Sequence, residues 1–328
     1  MHRPLTRSFF TAVGLSAALI GGTLAASADP LKVTLAGGSV GGAWSAMGAA
    51  IGQTIRLAAP GSSFTYEPGR DAANVQLVSE GKVQLGITHA QMALRAMKGT
   101  PPFKSKITNI RAIALLDPQA TVQIVVRKDS PYNSLEDIAK AKKPIRVAFN
   151  KRGTMMAIAG EEVFKAAGIT TKDIAAWGGR VEYGSFNTGL GMLKNGQVDL
   201  VLNMLAFPSA QLVRLAHDMP VKLLPIGDST IAKIDSEIGT KPITIPAKTY
   251  EFAPAATKTV TGYVVLVASD KMPDAEAETI TKAMLDHYDY LTKAYPSFAR
   301  MGKKSLPDVA PLTLATGAQK AYKAAGLN

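Results

Sequence analysis

Apolar and polar positions alternate with a period of two at Leu31, Val33 and Leu35, then recur three and four residues apart at Trp44, Met47, Ile51 and Ile55. The first pattern predicts a short strand and the second a helix. The six residues from Gly37 to Gly42, four of them glycine, predict a tight turn between the two. A strand follows at residues 64–67, and after Pro68-Gly69-Arg70 a helix carries Val75 and Val78, with Asp71 placed to cap it. Gly81 stops that helix, Val83, Leu85 and Ile87 alternate as a strand, residues 89–97 read as a helix, and residues 110–116 form an apolar strand.

Asp117-Pro118-Gln119-Ala120 interrupts this rhythm, and residues 122–127 read as a separate extended strand that crosses between domains. Ser134-Leu135-Glu136-Asp137 has the form of a helix cap. The opening pattern then returns: a strand at 145–149, Asn150-Lys151-Arg152-Gly153-Thr154, and a helix over 155–167 closed by Gly168. Strands at 181–183, 198–202 and 221–226 and helices at 188–194 and 207–216 continue the alternation. Residues 240–257 are Pro-rich and aperiodic, a loop that crosses back, before a strand at 260–268 and one long helix over 273–294. Alternating strands and helices argue for an α/β fold with a mostly parallel sheet, and two crossings for two lobes around a cleft. The expected division is 29–121 for the first lobe, 122–257 for the second, and 258–328 for a segment returning to the first.

Residues 1–28 read as a cleaved signal peptide: Arg3 and Arg7 precede an apolar run at 9–24, and Ala26-Ser27-Ala28 is a small-x-small site. The alternative is an uncleaved anchor, which the glycine-interrupted run is too short to favour against a span of about 20 residues. Cleavage after Ala28 places the mature protein in the periplasm. It has no cysteine, so burial rather than disulfides must hold it. Four histidines without ligand spacing argue against a metal site; His89, His217 and His287 read as surface or helix-end residues. No cofactor is implied. The net charge of +12 falls to +10 without Arg3 and Arg7, and its cations are scattered among few aromatics (6%). That distribution argues against nucleic acid and leaves two readings, solubility or the steering of small anions.

The glycine turn and the helix start behind it can cradle an anion, because backbone N–H groups lie open there and the helix dipole is positive. The same turn can be merely a tight connection, since it has neither the dinucleotide nor the phosphate-loop spacing. Asn203 ends a strand at the carboxyl edge of the expected sheet, where open α/β sheets bind ligands; a backbone-satisfied amide is the alternative.

Several segments together resemble the TAXI family of solute-binding proteins from TRAP transporters: AGGSVGGAW at 36–44, PGRDAANVQLVSEGKVQLGI at 68–87, VVRKDSPYNSLEDI at 125–138, RGTMMAIAGEEVFKAAGI at 152–169 and LKNGQVDLVLNMLAFPSAQLVRLA at 193–216. They occur in order over nearly the whole mature chain. The resemblance implies a type II periplasmic-binding-protein fold, two α/β lobes hinged around a small organic anion, and delivery to sodium-coupled membrane subunits by a monomeric receptor. By position it implies ligand contacts at Ser39, Val40, Trp44, Arg70, Asn74, Arg152, Gly153, Thr154, Asn203 and Phe207. The chain departs from the family's usual pattern at Ser39-Val40, Trp44-Ser45, Arg70-Asp71 and Lys151-Arg152, so the family's usual ligand is not carried over.

Arg70 and Arg152 can form a two-pronged clamp on a carboxylate, one from each lobe; equally, both can be solvated or paired with Asp71 and with Glu161 or Glu162. Trp44 packs its helix on the sheet or floors the pocket. No nucleophile elbow, histidine-based triad or paired carboxylates point to an enzyme. Besides the TRAP receptor, two other functions fit the same fold: the receptor of an ATP-driven importer and a periplasmic sensor for a membrane signalling protein.

Overall fold

The structure is a computed structural model that describes residues 1–2 and 29–327; the expected signal peptide lies almost wholly outside the described residues. In chain order the first elements are β1 (Lys32–Ala36), α1 (Ala43–Ala58), β2 (Ser63–Glu67), α2 (Asp71–Ser79), β3 (Leu85–His89), α3 (Ala90–Lys98) and β4 (Ile110–Arg127). Then come α4 (Leu135–Ala141), β5 (Arg146–Phe149), α5 (Met155–Ala166), α6 (Thr171–Ala176), β6 (Arg180–Tyr183), α7 (Phe186–Lys194), β7 (Leu200–Leu205), α8 (Ala210–Asp218) and β8 (Val221–Leu224). The chain continues through α9 (Asp228–Ile238), β9 (Lys241–Ile245), β10 (Thr257–Ser269), α10 (Asp274–Asp286), α11 (Tyr288–Ala294), α12 (Pro296–Met301) and α13 (Thr316–Ala324). Among the described residues no helix is long and apolar enough to cross a membrane.

The sheet order is β2-β1-β3-β10-β4-β7-β5-β6. Its two ends are parallel (β2-β1-β3 and β7-β5-β6), and the long strands β4 and β10 join them by antiparallel pairing. Two α/β lobes therefore share two central strands. The larger apolar core runs from β1 and β3 through these strands to β5 and α5, and a smaller one lies under α7 and α8.

β4 corrects the sequence reading. Asp117-Pro118-Gln119-Ala120 does not end a strand: β4 runs on for 18 residues. Proline has no ladder N–H to give, and a bulge accommodates it, since Pro118 and Gln119 fall where the β10 register shifts between Gly262 and Val264. The expected loop at 240–257 contains β9, whose Pro242 is tolerated because β9 pairs only with β10 and is an edge. The long helix expected over 273–294 breaks at His287, where the backbone leaves helical geometry (φ −114°, ψ 34°) between α10 and α11. Ser134 caps α4 as expected, in a reciprocal pair with Asp137.

Packing near the N-terminus fixes the opening turn. Gly48 lets α1 sit against Tyr66, because a Cβ there would lie 2.5 Å from the ring. The Tyr66 hydroxyl then accepts from the Gly38 N–H (2.7 Å) and donates to the Gly38 carbonyl (2.9 Å). Gly37 must also be bare, since its Cβ would fall 2.3 Å from the same hydroxyl oxygen. Burial pushes the Tyr66 pKa up to about 12, so the phenol keeps the proton it donates.

Candidate functional site

A cavity of about 100 Å³ lies between the lobes. Since roughly 10–15 Å³ is the least space that holds one water, it has room for several waters or a small solute. The first lobe contributes the turn at Gly38-Ser39, Trp44, and Arg70-Asp71 at the start of α2. The second contributes Asn150-Lys151, Thr154 and Asn203, and Asp117 comes from β4.

Of the ten expected residues, Ser39, Trp44, Arg70, Thr154 and Asn203 line this cavity; Val40, Asn74, Arg152, Gly153 and Phe207 do not. Val40 is exposed, at 74%. Asn74 is completely buried and fully occupied: it donates to the carbonyls of Gly37 (2.9 Å) and Ile87 (2.8 Å) and accepts from the Arg70 N–H (3.1 Å). It thus ties the glycine turn, α2 and β3 together. Gly153 contributes its carbonyl, which accepts from the Ala72 N–H (3.1 Å). Phe207 packs beside the smaller core.

The geometry does not form the two-arginine clamp. The Arg152 guanidinium lies 3.6 Å over the Tyr183 ring and 3.9 Å from Glu161, with its side chain 71% exposed. Arg70 lines the cavity and donates to the Arg152 carbonyl (3.1 Å). The second cation on the cavity is Lys151. Thr154 spends its hydroxyl locally, capping α5 by accepting from the Ala157 N–H (3.1 Å) and donating to the Lys151 carbonyl (2.7 Å). Asn203 accepts from the Asn150 amide (3.0 Å), and its own Nδ2 makes no hydrogen bond among the described residues. Trp44 does both things considered for it: it is 9% exposed, belongs to the core and walls the cavity.

Asp71 is not the cap the sequence predicts. It occupies the first helical position of α2 and is completely buried. One carboxylate oxygen accepts from the His89 backbone N–H (2.9 Å) and meets His89 Nδ1 (2.7 Å); the other accepts from the Met155 N–H (3.0 Å) at the start of α5 in the opposite lobe. A negative charge there satisfies an open N–H and complements the α5 dipole. With the Ala72–Gly153 and Arg70–Arg152 bonds, this makes three polar contacts that hold the lobes together beside the cavity. His89 itself is 1% exposed and stacks at 5.2 Å, tilted, on Trp44.

Asp117 is 2% exposed and accepts from the Gln119 N–H (2.9 Å), Ser297 (2.7 Å) and Tyr295 (3.3 Å). Burial raises its pKa above the ordinary aspartate value, and the Gln119 and Ser297 hydrogen bonds only partly offset this. A carboxyl raised on folding stabilises the protein below its unfolded pKa and loses that contribution as pH rises through the folded value. Asp117→Asn is therefore expected to flatten the fall in stability on going from about pH 4 upward, by as much as about 1.4 kcal/mol per pH unit over the window. Urea midpoints of the two proteins between pH 4 and 8 check this; parallel profiles would refute it.

Residues 35–326 match the NMT1-like family, almost the whole described chain. The chain belongs to the NMT1-like family. No curated protein matches it. Among solved structures, this NMT1-like chain is similar to the malate-bound MatC of Rhodopseudomonas palustris (TM-score 0.56, 15% identity, covering 90% of this chain and 98% of that one). It is similar also to a binding-protein component of an ABC phosphonate transporter from Pseudomonas aeruginosa (TM-score 0.54, 14% identity, 82% and 80%). A third is a methylphosphonate-bound protein from Prochlorococcus marinus (TM-score 0.53, 13% identity, 92% and 100%). At such identities the likeness establishes fold: the NMT1-like chain has the two-lobed α/β architecture of type II periplasmic binding proteins.

Proposed function

We propose that this protein is an extracytoplasmic solute receptor that binds a small organic anion between its lobes and hands it to a sodium-coupled TRAP transporter, as a TAXI-type receptor. The observation that carries this reading is the interlobe cavity flanked by Arg70 and Lys151, with the nearby carboxylates already committed. Asp71 is saturated by donors, and burial holds Asp117 toward its neutral form, so the unspent charge facing a solute is positive. Arg70, Lys151, Ser39 and the Asn203 amide are the contacts we assign to the solute, with Trp44 as an apolar wall. Binding without chemistry is the role of the receptor.

The malate-bound neighbour supports a carboxylate. The neighbour that is a component of an ABC phosphonate transporter keeps an ATP-driven importer as the second reading. A gene for a sodium-coupled membrane subunit beside this one favours TRAP, and an ATPase gene favours the alternative. We propose the lobe division 29–121 and 258–328 against 122–257, with β4 and β10 as the connecting strands, and export with cleavage after Ala28, which N-terminal sequencing of the mature protein checks.

The test is a thermal-shift screen of the mature protein, refolded to remove carried solute, against carboxylates, amino acids, phosphonates and sugars. A solute at about 100 times its dissociation constant stabilises the fold by about 2.7 kcal/mol. The expected result is a shift with a carboxylate that Arg70→Ala and Lys151→Ala together abolish. A shift only with sugars or other neutral solutes would refute the anion reading.

A further inference from the structure

His89 has one nitrogen that nothing among the described residues uses. Its side chain is 1% exposed and lines the cavity; Nδ1 is engaged by Asp71 at 2.7 Å, while Nε2 is buried without a partner. An orphaned buried polar atom calls for an explanation, because it forfeits its hydrogen bond with water and gains none in return. Two other buried side-chain atoms among the described residues lack partners, on Gln91 and Thr240, and neither residue lines this cavity.

The neighbours of the ring fix what Nε2 can do. Both Asp71 oxygens accept backbone N–H groups, from His89 and from Met155, and no acceptor is at hand for a carboxyl proton except His89 itself. The shared proton therefore belongs on Nδ1, and in the neutral ring Nε2 presents a lone pair. Trp44 lies against the ring, and Arg70 and Lys151 already bring positive charge to the cavity. A single acceptor beside cationic groups suits a solute with one hydrogen-bond donor as well as its carboxylate. An ammonium would bring three donors and a positive charge to the same place.

We propose that His89 Nε2 accepts a hydrogen bond from a hydroxyl of the bound solute, which makes the solute class a small hydroxy acid; the assignment rests on the anion-receptor reading above. Asp71 acts as a positioning residue: it sets the ring's tautomer and orientation, and through Met155 it joins that recognition to the opposite lobe.

Calorimetric titration of refolded wild-type protein at pH 8 with matched pairs, malate against succinate and lactate against propionate, tests this without any variant. At least one hydroxy acid is expected to bind about 10- to 100-fold more tightly than its partner lacking the hydroxyl. His89→Phe is expected to erase that preference, and His89→Gln, which keeps an acceptor, to retain part of it. Equal binding of both members of each pair would overturn the assignment and leave the receptor standing. So would an amino acid preferred over the hydroxy acids, or a preference that survives in His89→Phe. If no acid binds while a neutral solute does, the anion reading itself falls and takes this assignment with it.

Discussion

Asp71→Ala is expected to cost about 3–5 kcal/mol of folding stability, since each buried donor left without an acceptor costs about 1–3 kcal/mol. The reason is local and countable. Three donors, the His89 N–H, the His89 ring and the Met155 N–H, lose the one acceptor they share, at residues buried beneath the cavity wall. The midpoint of thermal unfolding should fall by roughly 5–15 °C. Because one of those bonds joins the lobes, solute affinity should fall as well, beyond what stability alone explains. Asp71→Asn keeps the shape and one oxygen, so its loss should lie between wild type and alanine. An alanine variant within 1 kcal/mol of wild type would show that these bonds do not hold the lobes together.

Asn74→Leu carries the second large effect, about 2–4 kcal/mol, since the carbonyls of Gly37 and Ile87 each lose a buried donor and the part-buried Arg70 N–H loses its acceptor. Leucine matches asparagine closely enough in reach to keep the site filled, so the loss reports polar satisfaction rather than a cavity. Gly69 packs directly on this amide, its Cβ position lying 2.1 Å from Asn74 Oδ1, which leaves no slack for rearrangement. Urea unfolding with an unchanged slope and a lowered midpoint is the expected record. The resemblance assigns Asn74 to the solute; a variant of unchanged stability but weakened binding would restore that role and contradict the structural one.

The two substitutions mark where sequence reading stops. Hydrophobic periodicity revealed the strand, turn and helix that open the fold, because local burial dictates it. It read Asn203 as following a strand that ends at Leu202, whereas β7 runs on to Leu205 and Asn203 lies inside it, paired opposite Gln123, while still lining the cavity. The rule that strand ends in α/β sheets face the cleft could have found His89, the last residue of β3, which instead read as a helix end. Periodicity does not report long-range hydrogen bonds. Asp71 follows a turn and precedes a helix, so it reads as a cap, yet its partners lie 18 and 84 residues away. Arg152 looks equivalent to Arg70 in sequence; its approach to Glu161 is one of the alternatives the sequence leaves open, whereas the Tyr183 ring is brought near only by the folded second lobe. β4 appears broken at Pro118 because the bulge that admits proline depends on the register of a strand more than 140 residues later.

The central claim is that a small acid occupies the cleft beside Trp44. The chain has two tryptophans, so Trp177→Phe leaves Trp44 as the only one, on the cavity wall. Titrating that variant with the acid that calorimetry shows to bind should change Trp44 emission saturably, with one site per chain and the calorimetric dissociation constant. Saturable binding that leaves Trp44 emission unchanged would place the solute elsewhere and contradict the account.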